Sequence, residues 1–226
     1  MAQKSESILV TGATGLVGSA LVERLLACVD YTRVVALARR PLAAKANRRL
    51  ITVDAEFNAL DETLKRALAD QPGLDVYCCL GTTIKQAGSE SAFRRVDYEF
   101  VLALGQWARK HGARHLVVVS ALGADSTSRV FYNRVKGEME RDLRKLGLRS
   151  LTILRPSLLD GGRQEFRPGE WLALAATRPL RRLIPASMRP ISAADVAQSM
   201  IDAALADSAP AVIESAAMQG AAQRSR

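Results

Sequence analysis

"TGATGLVGSALVERLL", residues 11–26, is the stretch on which the fold turns. It begins where an apolar run, "SILVTG" (7–12), ends, and it passes into helical apolar periodicity from about Leu16 to Cys28. Gly12, Gly15 and Gly18 stand at the junction in a G-x-x-G-x-x-G spacing. Glycine permits the tight turn at Gly12, lets backbone approach a pyrophosphate at Gly15 and lets helix pack on strand at Gly18. The helix start then offers free N–H groups and a positive dipole end to phosphates. A glycine pattern alone is weak. With a strand before it and a helix after it, the pattern reads as a dinucleotide cradle, and the competing reading is a bare tight turn.

Outward from this point, short apolar runs alternate with helical patterns. "RVVALA" (33–38), "RLITVDA" (49–55), "DVYCCLG" (75–81), "HLVVVSA" (115–121) and "LTILRP" (151–156) read as strands. Helices are expected over 60–70, 91–111, 132–147 and 192–205, the last with Ser192 as N-cap. Strands rich in Val, Ile and Leu without polar alternation belong in a parallel sheet covered on both faces. The expected fold is α/β, a doubly wound parallel sheet of Rossmann-like type, as one NAD(P)-binding domain over residues 1–226. A proline- and arginine-rich stretch after Pro156 reads as a small irregular C-terminal lid over 157–190, with a short helix near Glu170–Ala176. The tail "QGAAQRSR" is expected to fray.

Composition narrows the function classes. The 226 residues are 48% hydrophobic and 24% charged, as in an ordinary globular domain. "MAQKSESILVTG" has no apolar core of a secretory leader, and no stretch has the length of a membrane span. Cys28, Cys78 and Cys79 read as buried free thiols in a reducing compartment, so the protein is expected to be cytoplasmic. No Cys/His cluster has metal-ligand spacing, and no metal is expected. The net charge of +9 raises the question of nucleic acid. The basic residues are scattered as short pairs and aromatics are sparse, so neither nucleic acid nor membrane is an expected partner. The helix carrying Phe100, Leu104 and Trp107 serves either a homodimer or the sheet of a monomer.

The second strand ends "ALARRP". An NAD-selective site places an acid there to hold the ribose 2′-OH. Arg39 and Arg40 stand there instead, and a guanidinium matches a 2′-phosphate, which favours NADPH/NADP. The competing reading makes them solvated surface side chains. Asp54, after the third strand, is expected near the adenine or is a polar strand-end residue.

"FYNRVKGEME" (131–140) places Tyr132 and Lys136 on one helix face. Ser120 ends the strand before it, and ligands of a doubly wound sheet lie at such strand ends. A phenol, with a pKa of about 10, is a poor proton carrier at neutral pH, and a nearby ammonium favours its phenolate. Tyr132 is therefore read as the proton carrier of a carbonyl–alcohol interconversion. Lys136 is its partner, and Ser120 is a hydrogen bond to the substrate oxygen. The alternatives are a strand-end cap for Ser120 and a half-buried helix-start aromatic for Tyr132.

With "TGATGLVG", Ser120 and "YNRVK" in place, the chain resembles the short-chain dehydrogenase/reductase superfamily of extended or atypical type. "CCLGTT" (78–83), "RVD" (95–97), "GAD" (123–125), "VKGE" (135–138) and "RQEFRPGEW" (163–171) narrow this. Through them it resembles the Tat-interacting protein family of NADPH-binding oxidoreductase-like proteins. The resemblance implies cofactor contacts at Thr14, Gly15, Leu16, Val17, Arg39, Arg40, Leu80, Gly81, Leu159 and Arg167, with Tyr132 and Lys136 as the active pair. Animal members carry a second Ser where this chain has Ala121. Two functions are expected to compete. One is an NADPH-dependent oxidoreductase acting on a small carbonyl or alcohol substrate, and the other is an NADPH-sensing regulator that binds a protein partner without turnover. A nucleotide-sugar epimerase or dehydratase is the weaker third.

Overall fold

The computed structural model describes residues 7–29, 31–42, 47–68, 73–160 and 185–224. The six expected apolar runs form parallel strands: β1 (Ser7–Thr11), β2 (Arg33–Ala38), β3 (Leu50–Asp54), β4 (Asp75–Cys78), β5 (His115–Val119) and β6 (Leu151–Arg155). Leu159–Asp160 (β7) and Ile191–Ser192 (β8) form a separate parallel pair, and Val212–Glu214 (β9) adds an outer strand to the main sheet. The main order is β3-β2-β1-β4-β5-β6-β9. Every residue of β1 and β4 is buried, whereas the edge strand β3 is half-exposed, which is why the central runs are apolar without alternation.

Among the described residues the α-helices are α1 (Leu16–Ala27), α2 (Leu60–Leu68), α3 (Ile84–Ala87), α4 (Glu90–Arg94), α5 (Phe100–Lys110), α6 (Phe131–Lys145), α7 (Ala193–Leu205), α8 (Ser215–Met218) and α9 (Ala221–Arg224). Successive side chains of a strand point to opposite faces, so β1 feeds two cores. Ile8 and Val10 pack with Leu21 and Leu25 of α1 and Met200 of α7. Leu9 packs with Leu64 of α2, Leu104 of α5 and Met139 of α6. Leu104 and Trp107 lie in this second core, so the apolar stripe of α5 covers the sheet. Among the described residues, no helix is long and apolar enough to cross a membrane and no acid, His and Cys cluster could hold a metal. Cys78 is buried, and Cys28 and Cys79 are only partly so.

Three expectations need correction. The helix expected over 91–111 is α4 and α5 joined by a π-turn at Arg95–Glu99, which carries a buried Asp97. The tail does not fray through Arg224: Ala221 and Ala222 are buried, and the Ala222 N–H donates to Asp195 Oδ1 at 2.9 Å. The lid stretch is not wholly irregular, because it opens on β7, which pairs with β8 just beyond its end. The short helix expected near Glu170–Ala176 lies outside the described residues. Ser192 does cap α7, its side chain accepting from the Asp195 N–H at 3.0 Å.

His115, at the start of β5, is buried and lies 2.9 Å from Thr152 Oγ1. Thr152 gives its own proton to the Pro210 carbonyl, so the His115 Nε2–H is the donor. Burial, with Arg114 beside it, lowers the His115 pKa to about 4. An unfolded chain protonates this ring from about pH 6.5 downward, so the native state loses stability as pH falls through that window. Denaturant unfolding of wild type and His115→Gln should diverge below pH 6.5, with the wild type losing roughly 3 kcal/mol more by pH 4.

Candidate active site

Strand β1 ends at Thr11 and the chain turns at Gly12, whose φ of 72° favours glycine. A Cβ on Gly12 would collide with the Cys79 carbonyl, and one on Gly18 would collide with the Gly12 carbonyl. Gly18 therefore lets α1 lie against the backbone at the end of β1. The Gly15 N–H donates to Gly12 O at 3.0 Å and closes the loop. Gly15 caps α1 with no side-chain bond, and the first turn holds no acid, so the helix start is open to an anion. The sheet order reverses between β1 and β4, and a cleft of about 700 Å³ opens there along Gly15, Leu16 and Val17. The backbone cradle that Cβ atoms would fill and the unpaired helix start together fit a dinucleotide pyrophosphate. Thr14 is exposed beside the cradle.

The opposite wall comes from the ends of β4 and β5 and from α6. Leu80 and Gly81 follow β4, Ser120 follows β5, and Tyr132 and Lys136 project from α6. Gly137 lets α6 lie against the backbone of Asp125 and Ser126, which seats the helix on the loop after β5. The Tyr132 ring tilts against Phe93, centroids 5.5 Å apart, at 43°. Lys136 is 3% exposed and Asp97 fully buried, and Nζ lies 2.8 Å from Asp97 Oδ1. Among the described residues that oxygen has no other partner; Oδ2 accepts from the Thr82 N–H at 2.9 Å. Burial alone would pull the Lys136 ammonium down. The Asp97 charge, helped by Tyr132 and Cys78, outweighs it, and the group sits above the ordinary lysine range.

Ser120 borders the cleft, but its proton points elsewhere: Oγ donates to Glu140 Oε1 at 2.6 Å. Glu140 is buried, and Arg155 grips it through Nε at 3.0 Å and Nη2 at 2.6 Å, with Arg144 adding a bond at 3.0 Å. Burial alone would raise the Glu140 carboxyl. The bonds from Arg155, Ser120 and Arg144 outweigh it and hold the group below the ordinary glutamate range.

The structure thus brings Gly15, Leu16, Val17, Leu80, Gly81, Ser120, Tyr132, Lys136 and Leu159 to one cleft. Arg39 and Arg40 are exposed just past β2, and Asp54 is exposed at the end of β3, opposite Ala38; all three stand outside the cleft walls. Arg167 lies outside the described residues. Asp97 and Glu140 were not singled out as site residues. Each carried a signal, an acid set within the buried stripe of its helix: Phe93, Asp97, Val101 and Leu104, and Val135, Met139, Glu140 and Leu143.

A parallel sheet that reverses beside a glycine turn defines the class of dinucleotide-binding α/β proteins. The sequence matches a family described as NAD(P)H-binding over residues 12–207. It is similar to protein HTATIP2 of Rattus norvegicus, 35% identical, across 75% of this chain and 69% of that protein. It is similar also to FMP52, mitochondrial, of Eremothecium gossypii, 35% identical, across 71% of this chain and 70% of that protein. Among solved structures it resembles UDP-glucose 4-epimerase of Thermotoga maritima, with a TM-score of 0.62 and 19% identity over 86% of this chain and 72% of that one. The enzyme WbmG of Bordetella bronchiseptica in complex with NAD gives a TM-score of 0.66 and 15% identity over 95% of this chain and 74% of that one. The chain belongs to the NAD(P)H-binding family, alongside the HTATIP2 and FMP52 proteins.

The expectation of a cytoplasmic protein is overturned. FMP52 proteins of several fungi, 32–35% identical to this chain, are named mitochondrial. A scan for long apolar runs detects secretory leaders and membrane spans, and it is blind to organelle addresses written in amphipathic charge.

Proposed function

We propose that the protein is an NADPH-dependent oxidoreductase acting on a small carbonyl or alcohol substrate. The observation that carries this reading is that Tyr132 and Lys136 share one cleft with the start of α1. Gly15, Leu16 and Val17 hold the pyrophosphate, Leu80 and Gly81 the adenosine side, and Lys136 the ribose hydroxyls of the nicotinamide half. The nicotinamide, when bound, supplies or takes the hydride. Tyr132 gives or takes the proton at the substrate oxygen, and the charged Lys136 stabilises the negative charge that builds up beside it. NADPH oxidation across aldehydes, ketones and quinones tests the reading, and turnover on at least one class is the expected result. A cofactor sensor that binds a protein partner without turnover is the second reading. It is favoured by the commitment of the Ser120 proton to Glu140 and by the methyl of Ala121 facing the cleft. Tight NADPH binding without turnover on any compound selects it.

Arg39 and Arg40 make the site selective for the 2′-phosphate. A charge-assisted bidentate pair with a phosphate is worth enough for roughly tenfold in affinity or more. Fluorescence titration should show NADPH binding roughly tenfold tighter than NADH, with Arg39→Ala weakening NADPH alone. Equal weakening of both cofactors would make Arg39 structural.

A further inference from the structure

We propose that Ser120 meets the ligand only as a hydrogen-bond acceptor, and that the ligand atom seated against it carries hydrogen, as a hydroxyl or an N–H. The inference deepens the reading of the cleft as a substrate site and rests on it. A serine hydroxyl has one proton and two acceptor lone pairs, and an ionised carboxylate accepts only. Glu140 is 1% exposed and receives bonds from Arg155 and Arg144, neither of which can accept one. The 2.6 Å separation of Ser120 Oγ and Glu140 Oε1 is the length of a short O–H···O⁻ bond. Turning that proton into the cleft would leave two oxygens at that separation with only lone pairs between them. Glu140 is thus a positioning residue, acting on the ligand through Ser120.

The neighbouring groups sharpen the consequence. Ser157 also borders the cleft, and it gives its proton to the Arg189 carbonyl while accepting from Ser215 at 2.9 Å. Ala121, Leu122 and Leu158 add no polar side chain. Of Ser120, Ser157 and Tyr132, Tyr132 alone has no hydrogen-bond acceptor among the described residues. A carbonyl oxygen placed there receives a hydroxyl proton from Tyr132 and none from either serine. An alcohol oxygen receives the same proton and gives its own to Ser120. The cleft therefore selects alcohols, or carbonyl compounds with a neighbouring hydroxyl or amide N–H, over simple ketones.

Neutron diffraction from deuterated crystals of the cofactor-loaded protein locates the proton directly. The Ser120 deuteron is expected on the line to Glu140 Oε1, and a deuteron pointing into the cleft overturns the proposal. In solution, non-reacting pairs supply a second readout: 1-phenylethanol with NADPH, and acetophenone with NADP⁺. Ser120→Ala should weaken the alcohol roughly tenfold and leave the ketone within about twofold. A ketone loss equal to or larger than the alcohol loss overturns the proposal, and if neither probe binds the deuteron position alone decides. Neither readout uses turnover, so failure of the catalytic reading and failure of this one appear separately.

Discussion

Tyr132→Phe is expected to lose NADPH oxidation by roughly 10²–10⁴-fold on any carbonyl the wild type reduces, the usual worth of a positioned acid. The phenyl ring keeps the packing against Phe93 and removes only the hydroxyl, so fold and cofactor affinity should survive. Ser120, Ser157 and Lys136 do not replace the lost proton. Ser120 is committed to Glu140 and Ser157 to the Arg189 carbonyl. Lys136 is held charged by Asp97, with its ammonium above the ordinary lysine range, so it gives up a proton reluctantly at neutral pH. Absorbance of NADPH under saturating substrate measures the loss. A variant that keeps wild-type turnover would move proton transfer to water and reduce Tyr132 to a ring that lines the cleft.

The parts of this molecule legible in sequence are those settled locally. The glycine turn needs a positive φ at Gly12 and close backbone approach at Gly12 and Gly18, and only glycine meets those demands. Strands buried on both faces are apolar over most of their length, so β1, β2, β4 and β5 could be read from their near-continuous apolar runs. Tertiary choices were not legible. The π-turn at Arg95–Glu99 lies within a continuous helical pattern, and its marker is Asp97, whose partners Lys136 and Thr82 lie far along the chain or in another loop. Strand β9 has three residues and is recognised only by pairing with β6. Ser120 lines the cleft, but the direction of its proton depends on Glu140 and Arg155, which reach it from α6 and β6. Sequence spacing can bring side chains to one place; it does not orient hydroxyls.

Asp97→Ala should be the most destabilising single change at the site. It leaves the Lys136 ammonium buried without its carboxylate and the Thr82 N–H without its acceptor. Breaking a buried pair from one side costs roughly 3–5 kcal/mol, and the lower end applies because Lys136 borders a cleft that admits water. For a domain of this length about 3 kcal/mol is a fall in Tm of roughly 6–12 °C. The loss also has a pH signature. In the wild type the raised Lys136 pKa contributes stability that is present below the ordinary lysine range and fades as pH rises through it. In the variant burial acts unopposed and favours the neutral amine, so the penalty is heaviest at neutral pH and shrinks in alkali. Adding Lys136→Met removes the stranded charge and should restore much of the loss, since no ion then remains buried. Denaturant unfolding of wild type, single and double variants at two pH values separates these contributions. If Asp97→Ala is as stable as the wild type, the pair is not what holds α6 against the loop after β4. Leu80 and Gly81 would then owe their place at the cleft to the sheet alone.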